Sequence, residues 1–277
     1  FEVTVKTTGT APPEEWRFGS LTWMTSHSYG QKEISIRSPI AVNTRALVVP
    51  DEIDQTGASG SDSFEIGFGY NGDYTPQVHG LNNAGLFLFT VEDDPNNNFE
   101  FLGPGTVLGA FEVPPDTAFA RWSIYNEYTS GNDDIDMYLY YCPNFLCTLI
   151  DSSGNADSNE SVEVQLPNND PDIQDPYVVF LHGFNTEGGL PADVILFYHE
   201  FGLVDDAGNL MITSAPASAT GGETGTIAYE WNGLSEGPGD KYLGAISHSD
   251  ASGILDITVI DIQNDEGFGL CDLGVCD

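Results

Sequence analysis

Glycine and proline interrupt this chain so often that long helices are excluded. The sequence has 31 Gly and 16 Pro among its 277 residues, and the longest interval free of both runs from residue 116 to residue 130. Proline removes a backbone donor and clashes with the preceding helical turn, and glycine destabilises a helix interior. Within that interval, the run FARWSIYNEY largely alternates apolar and polar side chains. We therefore expect any helix to be short.

Alternation with a period of two dominates the apolar pattern. In the run SVEVQL, Val162, Val164 and Leu166 share one face of an extended strand, as in a sheet with one buried face. Further strand candidates span 1–6, 33–37, 63–70, 85–91, 119–126, 134–141, 177–182, 194–201, 226–231 and 254–262. Short strands separated by turns predict an all-β protein of two or three antiparallel β-sandwich modules, jelly-roll or immunoglobulin-like in type.

The strand candidates also suggest an order of modules. Residues 1–42 hold too few strands to close a sandwich, so an exposed strand edge is expected there, which could pair with another copy. Residues 111–204 hold enough strands for one module. The flanks 43–110 and 205–262, the latter followed by a tail to residue 277, do not close a sandwich singly. Either they pair around an inserted 111–204 module, or they form two separate small modules.

Charge excludes several classes of partner. Asp and Glu number 43 against 7 Lys and Arg, which gives a formal charge of −36. So negative a surface repels nucleic acid and anionic membranes. Because 40% of the residues are hydrophobic, the chain has the composition of a folded protein and not of a disordered acidic tail. Salt or divalent cations would screen the self-repulsion, which points to a saline or marine source.

The four cysteines form two close pairs. Cys142 and Cys147 lie in CPNFLC, and Cys271 and Cys276 lie in CDLGVC. No CxxC or His-x3-His spacing suggests zinc, so we expect two local disulfides and an oxidising compartment. Each would close a short loop and stabilise the fold only locally.

The sequence contains neither a transmembrane segment nor an N-terminal signal peptide. No apolar run approaches the length of a membrane span, and FEVTVKTTGT lacks the basic and then apolar pattern of a signal peptide. We therefore expect a secreted bacterial protein whose signal lies upstream, in a longer polypeptide from which this chain derives.

Three segments, in this order, resemble the C-terminal regions of secreted bacterial subtilisin-family serine proteases. WRFGSLTW and IRSPIAV resemble the closing strands of the fibronectin-III-like domain that follows the catalytic domain, with a longer intervening hairpin than the family pattern. VPPDTAFARWSIYNE, SGNDDIDMYLYY, SNESVEVQLPN and PYVVFLHGFNTEG resemble the prepeptidase C-terminal domain. SAPASATGGETGTIAYEWNGLSEGPGDKYLGAISHSD is similar to the terminal module of such proteins.

The resemblance implies an accessory region. Such regions assist the folding, stability or export of the protease, or attach it to insoluble protein. The implied partners are an upstream protease domain of the same polypeptide and an insoluble protein substrate. The family's catalytic motifs, DTG, HGT and GTSMA, do not occur in this chain. The resemblance therefore supplies no catalytic residue.

A search for other chemistry gives the same expectation. A nucleophile needs an activating base and a group that orients it. There is no GxSxG, HExxH, P-loop or dinucleotide fingerprint. His182 and His199 lie in strand-like runs and read as packed or edge histidines, while His79 and His248 lie in apparent turns. We expect no catalytic site in this chain.

An acidic turn is the candidate metal site. Asn132, Asp133, Asp134 and Asp136 lie within five residues at a turn that leads into a strand. Hard oxygen ligands at this density suit Ca²⁺, although the EF-hand pattern does not match. The other interpretation is that these carboxylates only brace the turn. Calcium, if bound, would stabilise the fold by mass action.

Aromatic residues offer a candidate binding surface. Most are expected in the core, but Tyr138 and Tyr140 alternate with the apolar residues of their strand. We expect these two to be the most exposed and to contact fibrous protein or polysaccharide. The alternatives to a purely structural region are therefore a calcium-dependent adhesin and a carbohydrate- or collagen-binding module.

Overall fold

A computed structural model describes residues 3–5, 15–24, 35–114, 116–165, 176–204 and 207–275, and it confirms the all-β prediction. The helices in these ranges are short 3-10 turns at Asn126–Tyr128, Pro143–Phe145, Glu187–Gly189 and Leu270–Leu273. The strands are β1 (Glu15–Met24), β2 (Ser35–Thr44), β3 (Leu47–Val48), β4 (Glu52–Gln55), β5 (Gly60–Phe68), β6 (Gly72–Asp73), β7 (Thr75–Asn83), β8 (Gly85–Val91), β9 (Thr106–Glu112), β10 (Thr117–Ile124), β11 (Asp134–Tyr141), β12 (Thr148–Ser153), β13 (Glu160–Gln165), β14 (Pro176–Asn185), β15 (Ala192–Gly202), β16 (Leu210–Ser214), β17 (Ser218–Ala219), β18 (Thr224–Trp231), β19 (Lys241–Asp250) and β20 (Gly253–Gln263).

The central sandwich is built from β8 to β15. One sheet has the strand order β13-β10-β15-β8, the other has the order β12-β11-β14-β9, and all pairs are antiparallel. The two sheets share a core in which Trp122, Met137, Val162 and Leu196 are fully buried. The alternation expected in DIDMYLYY and SVEVQL thus places one face of β11 and one face of β13 in this core.

The outer sandwich combines strands from before and after the central one. One sheet has the order β16-β18-β5-β3, and the other has the order β4-β20-β19-β7, in which β4 and β20 run parallel. Ile66, Tyr229, Ile246 and Ile260 are buried in the common core. The chain therefore leaves the outer sandwich after β7, builds the central one, and returns at β16.

The boundary of the central sandwich lies earlier than residue 111. Strand β8 and the first five residues of β9 fall within the 43–110 segment, yet β8 pairs with β15 and β9 pairs with β14. Only Ala84 separates β7 from β8, so the chain crosses from one sandwich to the other without a long linker.

The two sandwiches pack against each other. Phe119 and Phe201 of the central sandwich meet Leu243, Ala245 and Val259 of the outer one in a single buried cluster. The rings of Phe119 and Phe201 are stacked with their centroids 5.3 Å apart. Four sheets therefore form a stack, and the strands at the contact are buried on both faces.

Double burial does not by itself separate the predicted strands from the missed ones. Every residue of β10 is buried, as are the first eight of β19. A strand with no solvent-facing side need not alternate, and β19 was absent from the strand candidates. However, β10 was expected at 119–126, and strands β9 and β12, most of whose residues are not buried, were missed. His79 and His248, expected in turns, lie in β7 and β19, so that expectation was wrong.

The β1–β2 hairpin stands apart from the sandwiches. It pairs Glu15 with Thr44 and Met24 with Ser35 across ten antiparallel positions, and within the described residues neither strand pairs with a third. The strand expected at 1–6 is not formed at residues 3–5, and its other residues lie outside the described ranges.

None of the described helices is long and apolar enough to cross a membrane.

Candidate functional site: the acidic and aromatic face of the central sandwich

The predicted calcium residues lie at the start of β11 but do not point at a common centre. Both carboxylate oxygens of Asp133 accept backbone N–H groups, from Gly131 at 3.0 Å and from Glu187 at 2.8 Å. The backbone N–H of Asn132 donates to the Glu187 carboxylate at 3.0 Å. These contacts brace the turn, which is what the structural interpretation of this segment requires.

Asp134 keeps one oxygen available. Its Oδ1 is buried and has no hydrogen-bond partner among the described atoms. Burial raises the pKa of Asp134, and the nearby charges of Asp136 and Asp157 raise it further. Burial likewise raises the pKa of Glu160. A cation at this point would lower the mutual repulsion of the four carboxylates.

Asp136 faces a buried histidine. His182 on β14 lies between two carboxylates, with Nε2 3.0 Å from Asp94 Oδ2 and Nδ1 3.4 Å from Asp136 Oδ2. Burial alone would lower the pKa of His182, but the hydrogen bonds and charges of the two aspartates outweigh it and raise the pKa. The network ties the loop that carries Asp94 to the outer face of the sheet.

That loop covers the predicted aromatic surface. The Phe99 ring stacks on Tyr138 with a centroid separation of 3.8 Å, and Phe101 meets Tyr140 at 5.1 Å. Phe180 fills the space below Phe101 at 4.8 Å. Tyr138 and Tyr140 are half-buried as a result. A ligand that stacks on them must therefore displace the loop.

The second group of oxygen ligands lies between the sandwiches. One carboxylate oxygen each of Glu52, Asp54 and Asp261 lie within 4.8 Å of one another. Arg121 closes this group, with bonds of 3.0 and 2.6 Å to Glu52 and of 3.0 and 2.6 Å to Glu163. The single positive charge of Arg121 offsets part of the negative charge of this cluster, through its contacts with Glu52, Glu163 and Asp261.

The described histidines have structural partners. His182 binds the two aspartates, His199 Nε2 lies 2.9 Å from the Lys241 carbonyl oxygen, and His248 bridges Tyr74 and Thr258. Burial lowers the pKa of both His199 and His248 to about 4. A histidine held neutral and enclosed in this way cannot exchange protons with a substrate.

One serine and one histidine, Ser247 and His79, lie within hydrogen-bond distance of each other. His79 Nε2 lies 2.9 Å from Ser247 Oγ, and its Nδ1 lies 2.9 Å from the Gly202 carbonyl oxygen. The spacing suits a nucleophile and its base. However, His79 is 0% and Ser247 1% exposed, so a substrate cannot reach the hydroxyl. We interpret the contact as a hydrogen bond that links β7, β19 and the end of β15.

Cys142 and Cys147 form the expected disulfide across the Pro143–Phe145 turn. Cys271 is also disulfide-bonded, and its expected partner Cys276 lies outside the described residues.

Two buried basic residues that join the sandwiches were not predicted from the sequence. Of the seven basic residues, Lys6, Arg17, Lys32, Arg37 and Arg45 precede residue 46. The other two, Arg121 and Lys241, are both buried and ion-paired where the sandwiches meet. Each is a single basic residue in an otherwise acidic part of the chain and lies next to apolar strand residues. This pattern could have identified them.

No known protein-family model matches the chain, and no curated protein matches it significantly. Its function must therefore be argued from its fold, its contacts and its motifs.

Proposed function

We propose that this chain is the non-catalytic C-terminal accessory region of an exported subtilisin-like serine protease. In that role it aids the stability or secretion of the enzyme, or its attachment to insoluble protein. The observation that carries the non-catalytic part is the enclosure of the described histidines, of which none is more than 4% exposed. The ordered resemblance of the three segments supports the parent enzyme class.

The charge distribution supports export into a saline medium. Arg121 and Lys241 are the only basic residues after Arg45, and their side chains are 9% and 1% exposed. The surface of both sandwiches is therefore acidic. Such a net charge favours solubility, and salt in the medium screens the self-repulsion that would otherwise destabilise the fold. The disulfide at Cys142 and Cys147 fits an oxidising compartment.

The β1–β2 hairpin supports a link to further polypeptide. Trp16, Phe18, Met24 and Ile36 are each at least 59% exposed, with Phe18 at 80%. A two-stranded ribbon is only marginally stable alone and normally packs against more strands or a helix. We infer that the hairpin completes a fibronectin-III-like sandwich whose other strands belong to the parent protease.

A truncation experiment tests the proposal. The parent polypeptide is expressed in a bacterial host with and without this region, and both the secreted activity and the melting midpoint of the catalytic domain are measured. Loss of the region should leave kcat on a soluble peptide unchanged while it lowers the secreted yield or binding to insoluble collagen. Unchanged yield, stability and attachment would contradict the accessory role, and so would an upstream polypeptide that encodes no subtilisin domain.

The second candidate function is a binding module, either a calcium-dependent adhesin or a collagen- or carbohydrate-binding unit. The exposed, stacked rings of Trp16 and Phe18 favour it, since aromatic patches of this kind mark interaction surfaces. Pull-down with collagen, chitin and cellulose, with calcium and with EGTA, tests it. Phe18→Ser should lower retention, whereas Leu146→Ser, which alters a side chain 75% exposed elsewhere, serves as the control. Equal retention of both variants would exclude the hairpin as the binding surface.

A further inference from the structure

The side chain of Lys241 is buried against three hydrogen-bond acceptors. Its ammonium nitrogen lies 2.9 Å from Asp265 Oδ1, 3.4 Å from Glu127 Oε1 and 3.3 Å from Gln263 Oε1. The side chain of Lys241 is 1% exposed and that of Asp265 is 4% exposed. Lysine and aspartate side chains are rarely buried to this degree.

Aromatic rings form the walls of this site. The Lys241 nitrogen lies 4.1 Å from the ring centroid of Tyr125, 5.7 Å from that of Tyr128 and 5.8 Å from that of Phe197. Rings exclude water from the amine and the carboxyl group. An ion pair buried in such a place loses hydration that its mutual attraction does not fully repay. A neutral product is favoured over the charged pair for the same reason.

The Asp265 carboxyl group is held at both oxygens. Oδ1 accepts from the lysine, while Oδ2 accepts a 2.8 Å hydrogen bond from the Tyr128 hydroxyl. The Gly239 amide in turn donates to that hydroxyl at 2.9 Å. A donor fixed on Oδ2 would stabilise the negative charge that develops there when a nucleophile adds to the carboxyl carbon.

We propose that Lys241 and Asp265 condense spontaneously into an intramolecular isopeptide bond, with Glu127 as the catalytic proton-transfer residue. The bond forms between Nζ and Cγ, and one carboxyl oxygen leaves as water. The reaction needs no oxidant, reductant or cofactor. It ties the first residue of β19 to the segment just after β20, where the outer sandwich meets the central one.

Glu127 carries protons between the reacting groups, and none is gained or lost overall. Glu127 takes one proton from the Lys241 ammonium group and passes it to the Asp265 carboxylate, which leaves a neutral amine and a carboxylic acid. The amine lone pair attacks Cγ, and the developing negative charge rests on Oδ2 beside Tyr128. Glu127 then takes a second proton from Nζ and passes it to Oδ1, the C–O bond breaks, and water departs. Glu127 ends as the carboxylate it was at the start.

Position and water removal both favour the product. Reacting groups held in contact inside a fold behave as if present at an enormous effective concentration. A cavity of about 440 Å³ adjoins the site and is lined by Glu127, Lys241, Gln263, Asp265 and Glu266. The Glu127 side chain, 42% exposed, can exchange protons and pass water through this cavity.

Mass spectrometry of the purified chain tests the proposal. After denaturation and reduction, the intact protein should be lighter than its sequence by one water molecule. After proteolysis, tandem spectra should show the Lys241 and Asp265 peptides joined. A mass equal to that of the sequence, with these peptides separate, would overturn the proposal. A water loss that maps to another position, such as a cyclised aspartate, would overturn it equally.

Three variants separate the bond from a plain ion pair. Lys241→Arg keeps the charge but cannot condense in this way, and Glu127→Gln keeps the reacting pair but removes the proton carrier, so both should have the full mass. Glu266→Gln changes an exposed residue that lines the same cavity, and it should retain the bond. Full water loss in Lys241→Arg would disprove the assignment of the bond, and full loss in Glu127→Gln would disprove the role of Glu127.

Discussion

Arg121 offers the sharpest test of how the two sandwiches are held together. Replacing it with Met keeps most of the aliphatic packing and removes the guanidinium group, which contacts Glu52 and Glu163 at 2.6 Å and Asp261 at 3.9 Å. Three carboxylates would then face one another without a cation. The fold must either solvate them, protonate them or separate them.

The size of the effect follows from how exposed the partners are. Breaking a buried ion pair by removing one partner costs about 3–5 kcal/mol. The side chains of Glu52 and Glu163 remain 34% exposed, so water relieves part of the repulsion. We therefore expect the low end, about 3 kcal/mol, which lowers the melting midpoint by roughly 5–10 °C in a chain of this size.

Arg17 provides the matched control. It also pairs with a glutamate, at 2.9 Å to Glu15, but its side chain is 52% exposed and that of Glu15 is 58% exposed. Exposed pairs of this kind contribute about 0–1 kcal/mol. Arg17→Met and Arg121→Met should be compared by urea unfolding at low salt, followed by circular dichroism. Equal midpoints for the two variants would refute the idea that the buried cluster joins the sandwiches.

Three further predictions concern pH and calcium. Burial, followed by the charge of Glu52, raises the pKa of Asp261 to about 6, so its contribution to stability is present below about pH 4 and is lost as the pH rises through 6. Asp261→Asn should therefore be about 2–3 kcal/mol more stable than the wild type at pH 8 and equal to it at pH 4, and parallel pH profiles would contradict this. The pKa of His182 is raised, so its pairing should stabilise the fold below pH 6.5 and lose that effect as the pH increases; His182→Gln should flatten the profile there, and an unchanged slope in urea unfolding would refute it. Calcium bound at 132–136 should raise the melting midpoint, and EGTA should abolish the rise. The rise should be smaller in Asp134→Asn than in the wild type. Identical midpoints in calcium and EGTA would exclude a site at 132–136.

Alternation identified part of the strand set. Val162 is buried because β13 covers the core with one face, and the strand predicted from the run SVEVQL is confirmed over its described residues. β19 is buried on both faces and was not predicted, since a doubly buried strand has no polar side to alternate with. Burial is not the whole cause, because β10 is equally buried and was predicted, while the exposed strand β12 was missed.

The candidate site was less predictable because its contacts are not local. Asp133 bracing its own turn lies within reach of sequence reasoning, since Gly131 is two residues away. Arg121 and Glu52 are separated by 69 positions, and Lys241 and Glu127 by 114. Only the folded arrangement of the two sandwiches brings such residues together. The half-burial of Tyr138 has the same cause, because the loop that covers it comes from an earlier part of the chain.

The non-catalytic role proposed for this chain requires that none of its side chains attacks an added substrate, whereas the Lys241 amine would react only within the fold. Incubation of the purified protein with fluorescent casein, together with a fluorophosphonate probe for activated serines, tests it most directly. The account predicts no casein turnover and no labelling, because the contact of Ser247 with His79 is sealed from solvent. Stoichiometric labelling of Ser247, with turnover abolished by Ser247→Ala, would contradict it.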